Sequence, residues 1–309
     1  MATQVQRIIG RIDGQLKGPV IVALAGIHGN EPTGVSAIEH VLEVLKGKVE
    51  NFRGAFIGLR GNIPALEKGV RYIDEDMNRI WFTSILDKVR RTPISELKTE
   101  ERRQTKEVLA ILDPLIEEQK QKQSPLIFAD LHTFSSANGL FVISSNAPQS
   151  VNLLDKLQVP LIFGIEKALH GTALKYVQNT GNIGFAFEAG THFSESAEYN
   201  ATAGLYSLMI ASGCLMKEDI PDYDHYVGFL TDQTNVLPAK VEFIYKHIIE
   251  DDDEFKMIPG FQNFDPVKKG DLLAIDRHGE IKAQHDGYLL MPLYQQQGND
   301  GFFIVKDIE

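Results

Sequence analysis

Strand-like apolar runs alternate with helical segments along the first two thirds of the chain, and this alternation restricts the possible folds strongly. The run Val20–Ala25 is uninterrupted by polar residues and precedes a helical segment over residues 33–46. Further strand patterns cover 55–59, 126–129, 140–144 and 185–188, and a polar-rich helical periodicity covers 100–120. Such alternation is typical of α/β proteins. We therefore predict an α/β sheet with helices on both faces.

The last third of the chain has a different pattern. From about Asp219, short β-type runs are separated by Gly, Pro and Asp, and they cover 240–249, 272–275, 280–283, 288–291 and 302–305. Closely spaced strands with turn signals indicate a small β domain without a helical layer. We predict one domain over residues 1–218 and a small all-β domain over residues 219–309.

Composition excludes several classes of protein. The chain has 309 residues, of which 43% are hydrophobic, so it can bury a large core and is neither disordered nor fibrous. Its formal net charge of -11 opposes binding to nucleic acid or to anionic membranes. Because it has no membrane-spanning apolar run and no signal-peptide pattern over residues 1–10, we expect a cytoplasmic protein. The single cysteine, Cys214, is expected to be a buried apolar side chain.

Three polar clusters come directly after apolar runs. His28 and Glu31 follow the first strand, His132 follows the strand at 126–129, and Glu188 ends the run at 184–187. In open α/β sheets, ligands bind at the carboxyl ends of the strands. Two imidazoles and one carboxylate are the ligand set of a hydrolytic zinc site with one open position. We predict one Zn²⁺ per chain, bound by His28, Glu31 and His132.

A second carboxylate in these clusters, that of Glu188, is not needed as a metal ligand and can act in proton transfer. Apolar neighbours of Glu188 disfavour its charged form, which suits a general base that takes a proton from water and passes it to a leaving nitrogen. The alternative for Glu188 is a strand-end salt bridge. Asp130 is expected to hold one imidazole by a hydrogen bond, and the sequence leaves open which one.

The segment from Arg71 to Arg79 carries candidate substrate-binding residues. Arg79 can bind a substrate carboxylate through its planar guanidinium, and Asn78 adds an amide donor. Arg71 can polarise the scissile carbonyl. The alternative is that these arginines lie at the surface and pair with the acidic residues at 74–76.

These motifs resemble those of the succinylglutamate desuccinylase and aspartoacylase family, whose catalytic core is similar to that of zinc carboxypeptidases. The matching residues are in the family's order and approximate spacing, and they are Gly26, His28–Glu31, Asn62, Pro64, Arg71–Asp74, Asn78, Arg79, Asp130–His132, Phe187 and Glu188. The resemblance implies a zinc-carboxypeptidase-like mixed sheet flanked by helices, followed by a small β domain that covers the active site. It also implies that His28, Glu31 and His132 bind zinc, that Glu188 is general base and acid, and that Arg71 stabilises the oxyanion. Asn78 and Arg79 then bind the substrate carboxylate.

The chain departs from the family pattern in two places, and part of its β domain resembles another fold. Residues 176–180 lack the second arginine that aspartoacylases have shortly before the catalytic glutamate. The stretch 294–301 offers no clear match to the tyrosine that aspartoacylases place over the site. Residues 269–274 and 286–288 resemble the lipoyl and biotinyl carrier fold but have no lysine at the modified turn position, which indicates a lid.

The sequence thus predicts a zinc-dependent hydrolase that cleaves the amide bond of a small N-acyl amino acid. The first alternative is a zinc carboxypeptidase or small-peptide hydrolase, which differs in whether the pocket admits a longer chain. The second alternative is a non-catalytic protein that binds a small carboxylate. The acyl group, the amino acid, the physiological metal and the presence of a homo-oligomer are left open.

Overall fold

Strands and helices alternate through residue 211, in agreement with the sequence pattern. The computed structural model describes residues 5–250 and 252–308. The strands are β1 Ile8–Asp13, β2 Leu16–Ala25, β3 Arg53–Arg60, β4 Leu126–Phe134, β5 Phe141–Ser144, β6 Leu161–Phe163, β7 Ile183–Thr191, β8 Lys240–Ile248, β9 Lys256–Met257, β10 Pro266–Val267, β11 Leu272–Asp276, β12 Gly279–Lys282, β13 Gly287–Leu290 and β14 Asp300–Asp307. The α-helices are α1 Thr33–Leu45, α2 Ile63–Lys68, α3 Thr83–Arg91, α4 Glu100–Gln121, α5 Pro148–Leu154, α6 Ile165–Ala168, α7 Ala173–Asn179, α8 Glu195–Ala211 and α9 Tyr223–Thr234.

One large mixed sheet organises the fold. Its strand order is β1-β3-β2-β4-β7-β5-β6-β8-β14-β13-β10. The neighbours β3, β2, β4 and β7 are parallel, whereas β5 runs antiparallel to β7. A separate antiparallel sheet, β12-β11-β9, is formed near the carboxyl end of the chain. The predicted mixed α/β sheet with a small β unit after it is confirmed.

Alternate residues of the central strands pack on opposite faces of the large sheet. In β2, Ile21 and Ala23 pack with residues of α1 and α8, whereas Val22 and Leu24 pack with residues of α4. All four side chains are 0% exposed. Because helices cover both faces, the strand is apolar throughout instead of alternating between apolar and polar residues.

The last third contains a helix that the sequence analysis did not predict. Helix α9 packs against α8, where the ring of Tyr226 stacks on that of Tyr199 at 4.7 Å between centroids and meets Tyr206 edge-on at 5.1 Å. Aromatic contacts with α8 thus stabilise a helix whose own sequence has no clear apolar stripe. Strand β8 then pairs with β6, so that β8, β14, β13 and β10 extend the large sheet. The division of the chain near residue 218 stays a prediction.

Cys214 is buried, as its apolar surroundings predicted. It is 0% exposed, and burial raises the pKa of its thiol to about 11, so the thiol is protonated and unreactive at neutral pH. Among the helices of the described residues, none is both long enough and apolar enough to cross a bilayer. Residues 1–4, which belong to the segment without a signal-peptide pattern, lie outside the described residues.

The contact between α8 and β7 gives a first prediction. A Cβ atom added at Gly204 of α8 would lie 2.5 Å from Cζ of Phe187, which is 1% exposed and precedes Glu188. We expect Gly204→Ala to lower the free energy of unfolding by about 1–3 kcal/mol, because overpacking displaces the ring. Urea unfolding measures this change.

Gly228 of α9 provides the matched control, because a Cβ atom there meets nothing within 4 Å. We expect Gly228→Ala to raise the free energy of unfolding by about 0.5–1 kcal/mol, since alanine favours the helix. An equal change in both variants would contradict the close packing of α8 on β7.

Candidate metal centre and substrate pocket

Three neighbouring parallel strands bring the predicted site residues together. Strand β2 ends at Ala25, and His28 and Glu31 follow in the turn before α1. His132 lies in β4, next to β2, and is paired across strands with Glu188 in β7. Strands β4 and β7 both extend beyond their predicted ends, so His132 lies inside a strand and not after one. The four side chains therefore meet at the carboxyl edge of the sheet.

Two glycines shape the turn that carries His28 and Glu31. Gly26 has a φ of +68°, a left-handed conformation that glycine adopts readily. A Cβ atom at Gly29 would lie 2.0 Å from the carbonyl carbon of Ala65, so no side chain fits there. The Gly29 amide also donates to the carbonyl of Arg71 at 3.1 Å, which ties the turn to the segment with the predicted substrate-binding residues.

Glu31 lies between the two imidazoles. Its Oε1 is 2.8 Å from Nδ1 of His28, and its Oε2 is 3.0 Å from Nδ1 of His132. One ligand atom from each of the three side chains lies within 4.8 Å of the other two. The exposed fractions are 4% for His28, 3% for Glu31 and 6% for His132. Two nitrogen donors and one oxygen donor thus converge in a buried position, and this arrangement fits a zinc ion.

The electrostatics of this group also fit a cation. Burial alone would raise the pKa of the Glu31 carboxyl, but His28 and His132 outweigh it and hold that pKa well below its usual range. Burial alone would lower the pKa of the His132 imidazole, but Asp130 and Glu31 raise it well above its usual range. The raised pKa favours a positively charged His132 in the absence of a metal ion, and that charge offsets the negative charge that a metal ion can offset instead.

Each imidazole has a carboxylate at its other ring nitrogen. Asp130 Oδ2 lies 3.1 Å from Nε2 of His132, although no well-directed hydrogen bond reaches either Asp130 oxygen from the described residues. Asp76 Oδ1 lies 3.2 Å from Nε2 of His28. The sequence analysis left the partner of Asp130 open and considered Asp76 only as a partner for surface arginines. Carboxylates in these positions orient the rings and fix their tautomers.

Glu188 is a buried carboxyl group without a partner at one oxygen. It is 7% exposed, and its Oε2 has no hydrogen-bond partner among the described residues. Burial raises the pKa of Glu188 to about 8, and the charges of Glu31 and Asp130 add to the increase. The alternative of a strand-end salt bridge finds no support in the ion pairs of the described residues. A carboxyl group whose pKa lies near neutrality can both accept and donate a proton.

Arg71 and Asn78 border the metal-ligand group. Arg71 donates from Nε and Nη2 to Asp76 Oδ2 at 3.3 and 3.2 Å, and its Nη1 lies 3.5 Å from Glu31 Oε1. Oδ1 of Asn78 accepts a hydrogen bond from the backbone amide of Ala173 at 2.9 Å. Nδ2 of Asn78 lies 3.4 Å from Nε2 of His132. Both residues line the cavity described below.

Arg79 is ion-paired with an acidic residue that the sequence analysis did not consider. Its Nη2 donates to Asp300 at the start of β14, and its Nη1 donates to the Asn78 carbonyl at 2.8 Å. The other oxygen of Asp300 lies 2.5 Å from Nζ of Lys246 in β8. Two cations thus surround one carboxylate next to the cavity.

A buried carboxylate holds the segment from Arg71 to Arg79 in place. Glu101 of α4 is 0% exposed. Its carboxylate accepts hydrogen bonds from the backbone amides of Ile73 at 2.7 Å and Asp74 at 3.1 Å. It also accepts a hydrogen bond from Nδ2 of Asn62 at 2.9 Å. This bond connects the turn at 61–64 to the segment from Arg71 to Arg79. Nothing in the local pattern of the α4 sequence marks Glu101 as different from its charged neighbours.

One cavity of about 110 Å³ joins these groups. One part of its wall consists of the predicted site residues, namely His28, Glu31, Arg71, Asn78, Arg79, His132 and Glu188. Another part is apolar and consists of Phe134, Ile143, Leu169, Leu174, Ala186, Met291, Leu293 and Phe303. The polar site residues therefore open into a pocket with a partly apolar wall.

Residues 293–298, the glutamine-rich loop, close the cavity from the carboxyl end of the chain. Oε1 of Gln295 accepts a hydrogen bond from Nδ2 of Asn30 at 2.9 Å. Oε1 of Gln297 accepts one from the backbone amide of Arg71 at 3.2 Å. The hydroxyl of Tyr294 instead donates to the carbonyls of Ile258 and Phe261, at 3.0 and 3.1 Å. Tyr294 is not among the residues that line the cavity, so a glutamine side chain lies where the resemblance led us to look for a tyrosine.

Comparison with known proteins places the chain in a family. The family described as "Succinylglutamate desuccinylase/Aspartoacylase catalytic domain" matches residues 17–209. The succinylglutamate desuccinylase of Shewanella sp. (strain W3-18-1) is 24% identical over 287 residues, which cover 88% of this chain and 77% of that protein. The N-acyl-aromatic-L-amino acid amidohydrolase (carboxylate-forming) of Xenopus tropicalis is 24% identical over 275 residues, which cover 82% of this chain and 83% of that protein.

The fold agrees with this match. The crystal structure of succinylglutamatedesuccinylase/aspartoacylase from Rhodobacter sphaeroides is similar with a TM-score of 0.65 and 14% identity, and the superposition covers 96% of this chain and 88% of that chain. Since the family match extends over more than half of the chain, the resemblance seen in the sequence motifs is confirmed. The chain belongs to the succinylglutamate desuccinylase/aspartoacylase family.

Proposed function

We propose that the protein is a zinc-dependent hydrolase that cleaves the amide bond of an N-acyl amino acid. The observation that carries the proposal is the convergence of His28, Glu31 and His132 beside the buried, unpartnered carboxyl of Glu188. The relatives named above, a succinylglutamate desuccinylase and an N-acyl-aromatic-L-amino acid amidohydrolase, support the same class of substrate. One Zn²⁺ per chain is proposed, with Asp76 and Asp130 orienting the two imidazoles.

The proposed chemistry assigns one role to each side chain. A zinc ion, when bound, supplies the Lewis-acid chemistry that activates water toward an amide carbonyl. Glu188 removes a proton from the attacking water and returns it to the leaving nitrogen. Its pKa of about 8 applies without a metal ion, and a bound cation favours the ionised carboxylate that accepts the proton. Arg71 lies beside Glu31 and stabilises the negative charge that develops on the carbonyl oxygen.

Arg79 and Asn78 are proposed to bind the substrate carboxylate. Arg79 is paired with Asp300, but Asp300 is also paired with Lys246, so this group of three has one positive charge left over. That remaining charge favours an anion in the adjacent cavity. Asn78, which also lines the cavity, is proposed to contribute its side-chain amide.

Residues 219–309 are proposed to be a small domain that completes the pocket. Gln295, Asp300 and Phe303 line the cavity together with the metal-ligand residues. This arrangement supports the covering role that the family resemblance implies for the β domain.

The loop over the cavity favours an N-acyl amino acid over a peptide. Residues 293–298 lie across the cavity and are held there by hydrogen bonds from the Asn30 side chain and the Arg71 backbone amide. The carboxypeptidase alternative needs room for a longer chain beyond this loop.

The test is hydrolysis of N-acetyl and N-succinyl amino acids by the purified, zinc-loaded protein, followed by release of the primary amine. We expect release that a chelator stops and zinc restores, and no release from substrates whose carboxylate is replaced by an amide. Equal rates with tripeptides would support the carboxypeptidase alternative. No release from any substrate by zinc-loaded protein would leave the binding-protein alternative.

Metal binding is predicted to release protons at pH 7. In the metal-free site the pKa of His132 lies well above its usual range and that of Glu188 is about 8, so both groups are protonated at pH 7. A ligand imidazole must be neutral, and a cation favours the ionised carboxylate, so zinc displaces roughly one proton or more. Zinc affinity therefore rises as the pH increases from 7. Calorimetric titration in buffers of different ionisation enthalpy counts the protons.

Asp130→Asn is the control for this prediction. It removes the charge that contributes most to the raised pKa of His132, so fewer protons are released at pH 7. The same binding enthalpy in all buffers with the unaltered protein would contradict the prediction.

A further inference from the structure

One buried carboxylate in the cavity has no role in the chemistry proposed above. Glu166, in α6, lines the cavity and is 3% exposed. Its Oε2 has no hydrogen-bond partner among the described residues. The other acidic groups of the cavity differ from it. Glu31 contacts two imidazoles, Asp300 contacts Arg79 and Lys246, and Asp130 and Glu188 lie beside the metal-ligand group.

An unpartnered carboxylate of this kind can accept a hydrogen bond from a molecule bound in the cavity. Burial of a charged group without a compensating partner is costly, and buried carboxylates are therefore paired or hydrogen-bonded in nearly all proteins. Glu166 faces a cavity that is proposed to hold the substrate, so the substrate is in a position to supply the missing donor. An ammonium group provides up to three N–H donors and a positive charge.

The surroundings of Glu166 restrict what such a substrate looks like. Its neighbour Ile165 belongs to an apolar cluster with Phe134, Ile143, Leu174 and Phe303, and these four residues also line the cavity. Apolar walls favour methylene groups, and only the carboxylate favours a charged end. The wall and the carboxylate together suit a short methylene chain that ends in an ammonium group.

We propose that Glu166 binds a side-chain ammonium group of the substrate, so that the substrate class is the N-acylated diamino acids. This inference rests on the proposed function and makes it more specific. It also accounts for the missing second arginine at 176–180, because a substrate with a cationic side chain has no second carboxylate to bind.

The experiment compares substrates that differ only at the end of the side chain. The zinc-loaded protein is given Nα-acetyl derivatives of 2,4-diaminobutyrate, ornithine and lysine, and of the uncharged amino acids with the same carbon chains, with norvaline matching ornithine. We expect kcat/KM to be roughly 10- to 150-fold higher for at least one diamino acid than for its uncharged match, as for a hydrogen bond to a charged group. Glu166→Gln keeps the shape and removes this ratio, whereas Glu198→Gln, at an exposed position of α8, keeps it.

A binding measurement keeps the two proposals separate. The rise in unfolding temperature caused by free ornithine, compared with norvaline, is measured for the zinc-loaded protein and for Glu166→Gln. Selective stabilisation by the diamino acid that is lost in Glu166→Gln supports the ammonium site even if no acyl amino acid is cleaved. Cleavage without preference for any diamino acid, or an equal loss of both substrates in Glu166→Gln, overturns the role of Glu166 and leaves the proposed hydrolase intact.

Discussion

Glu188→Gln is expected to lower kcat by a factor on the order of 100 or more, because the amide cannot take a proton from water or return it to the leaving nitrogen. The substitution preserves the size of a side chain that is 7% exposed, and it replaces a group that is protonated in the metal-free site at neutral pH. We therefore expect the fold and the zinc content to be unchanged. Steady-state kinetics with a cleaved N-acyl amino acid, together with elemental analysis, measure both quantities.

The control for this prediction is Glu198→Gln, which makes the same chemical change at an exposed position of α8 and is expected to leave kcat unchanged. Activity of Glu188→Gln close to that of the unaltered protein would rule out the assigned role of Glu188. Loss of zinc together with activity would show instead that Glu188 supports the metal site.

The second large effect is expected from removal of the two imidazoles. His28→Ala with His132→Ala takes away both nitrogen donors, so zinc content should fall from about one ion per chain to none and turnover should cease. Elemental analysis of protein purified with zinc supplied measures the content. Circular dichroism shows whether the double variant keeps the fold.

A milder substitution at the same place tests the reason for the loss. Asp130→Asn keeps both imidazoles but alters the group 3.1 Å from Nε2 of His132, and we expect zinc affinity to fall by about 10- to 100-fold. Equal zinc content in the unaltered protein and the double histidine variant would contradict the metal site. No zinc in either protein would contradict it as well, and both results favour a binding protein without turnover.

The sequence predicted the parts of the fold and site that depend on local patterns. The apolar runs of the central strands are buried on both faces, so their positions were visible without a structure. His28 and Glu31 are three residues apart in one turn. His132 and Glu188 follow apolar runs in the sequence and are paired across neighbouring strands. Helix α9 was missed because its stability comes from aromatic contacts with α8.

Contacts between distant parts of the chain could not be predicted in this way. Asp76 contacts His28, which is 48 residues away in the sequence, and Asp300 contacts Arg79, which is 221 residues away. Asp76 and Asp300 are ordinary acidic residues in their local sequence, and only the folded chain distinguishes them from solvated ones. Glu166 is the same case, because its burial depends on the packing of α6 against an apolar cluster whose residues come from many separate segments, among them β4, β5, α7 and β14.

The position of β14 in the sheet affects the order in which a newly synthesised chain can form the metal-ligand group and the cavity. All three proposed metal ligands come from the first 132 residues, whereas β14, which contributes Asp300 and Phe303 to the cavity, is inserted between β8 and β13. Contacts between residues far apart in sequence form late because long loops must close first. During synthesis on the ribosome, the nascent chain therefore exposes its metal-ligand residues long before it can enclose a substrate. In the proposed hydrolase, metal binding can therefore precede the onset of activity, which requires the chain through β14.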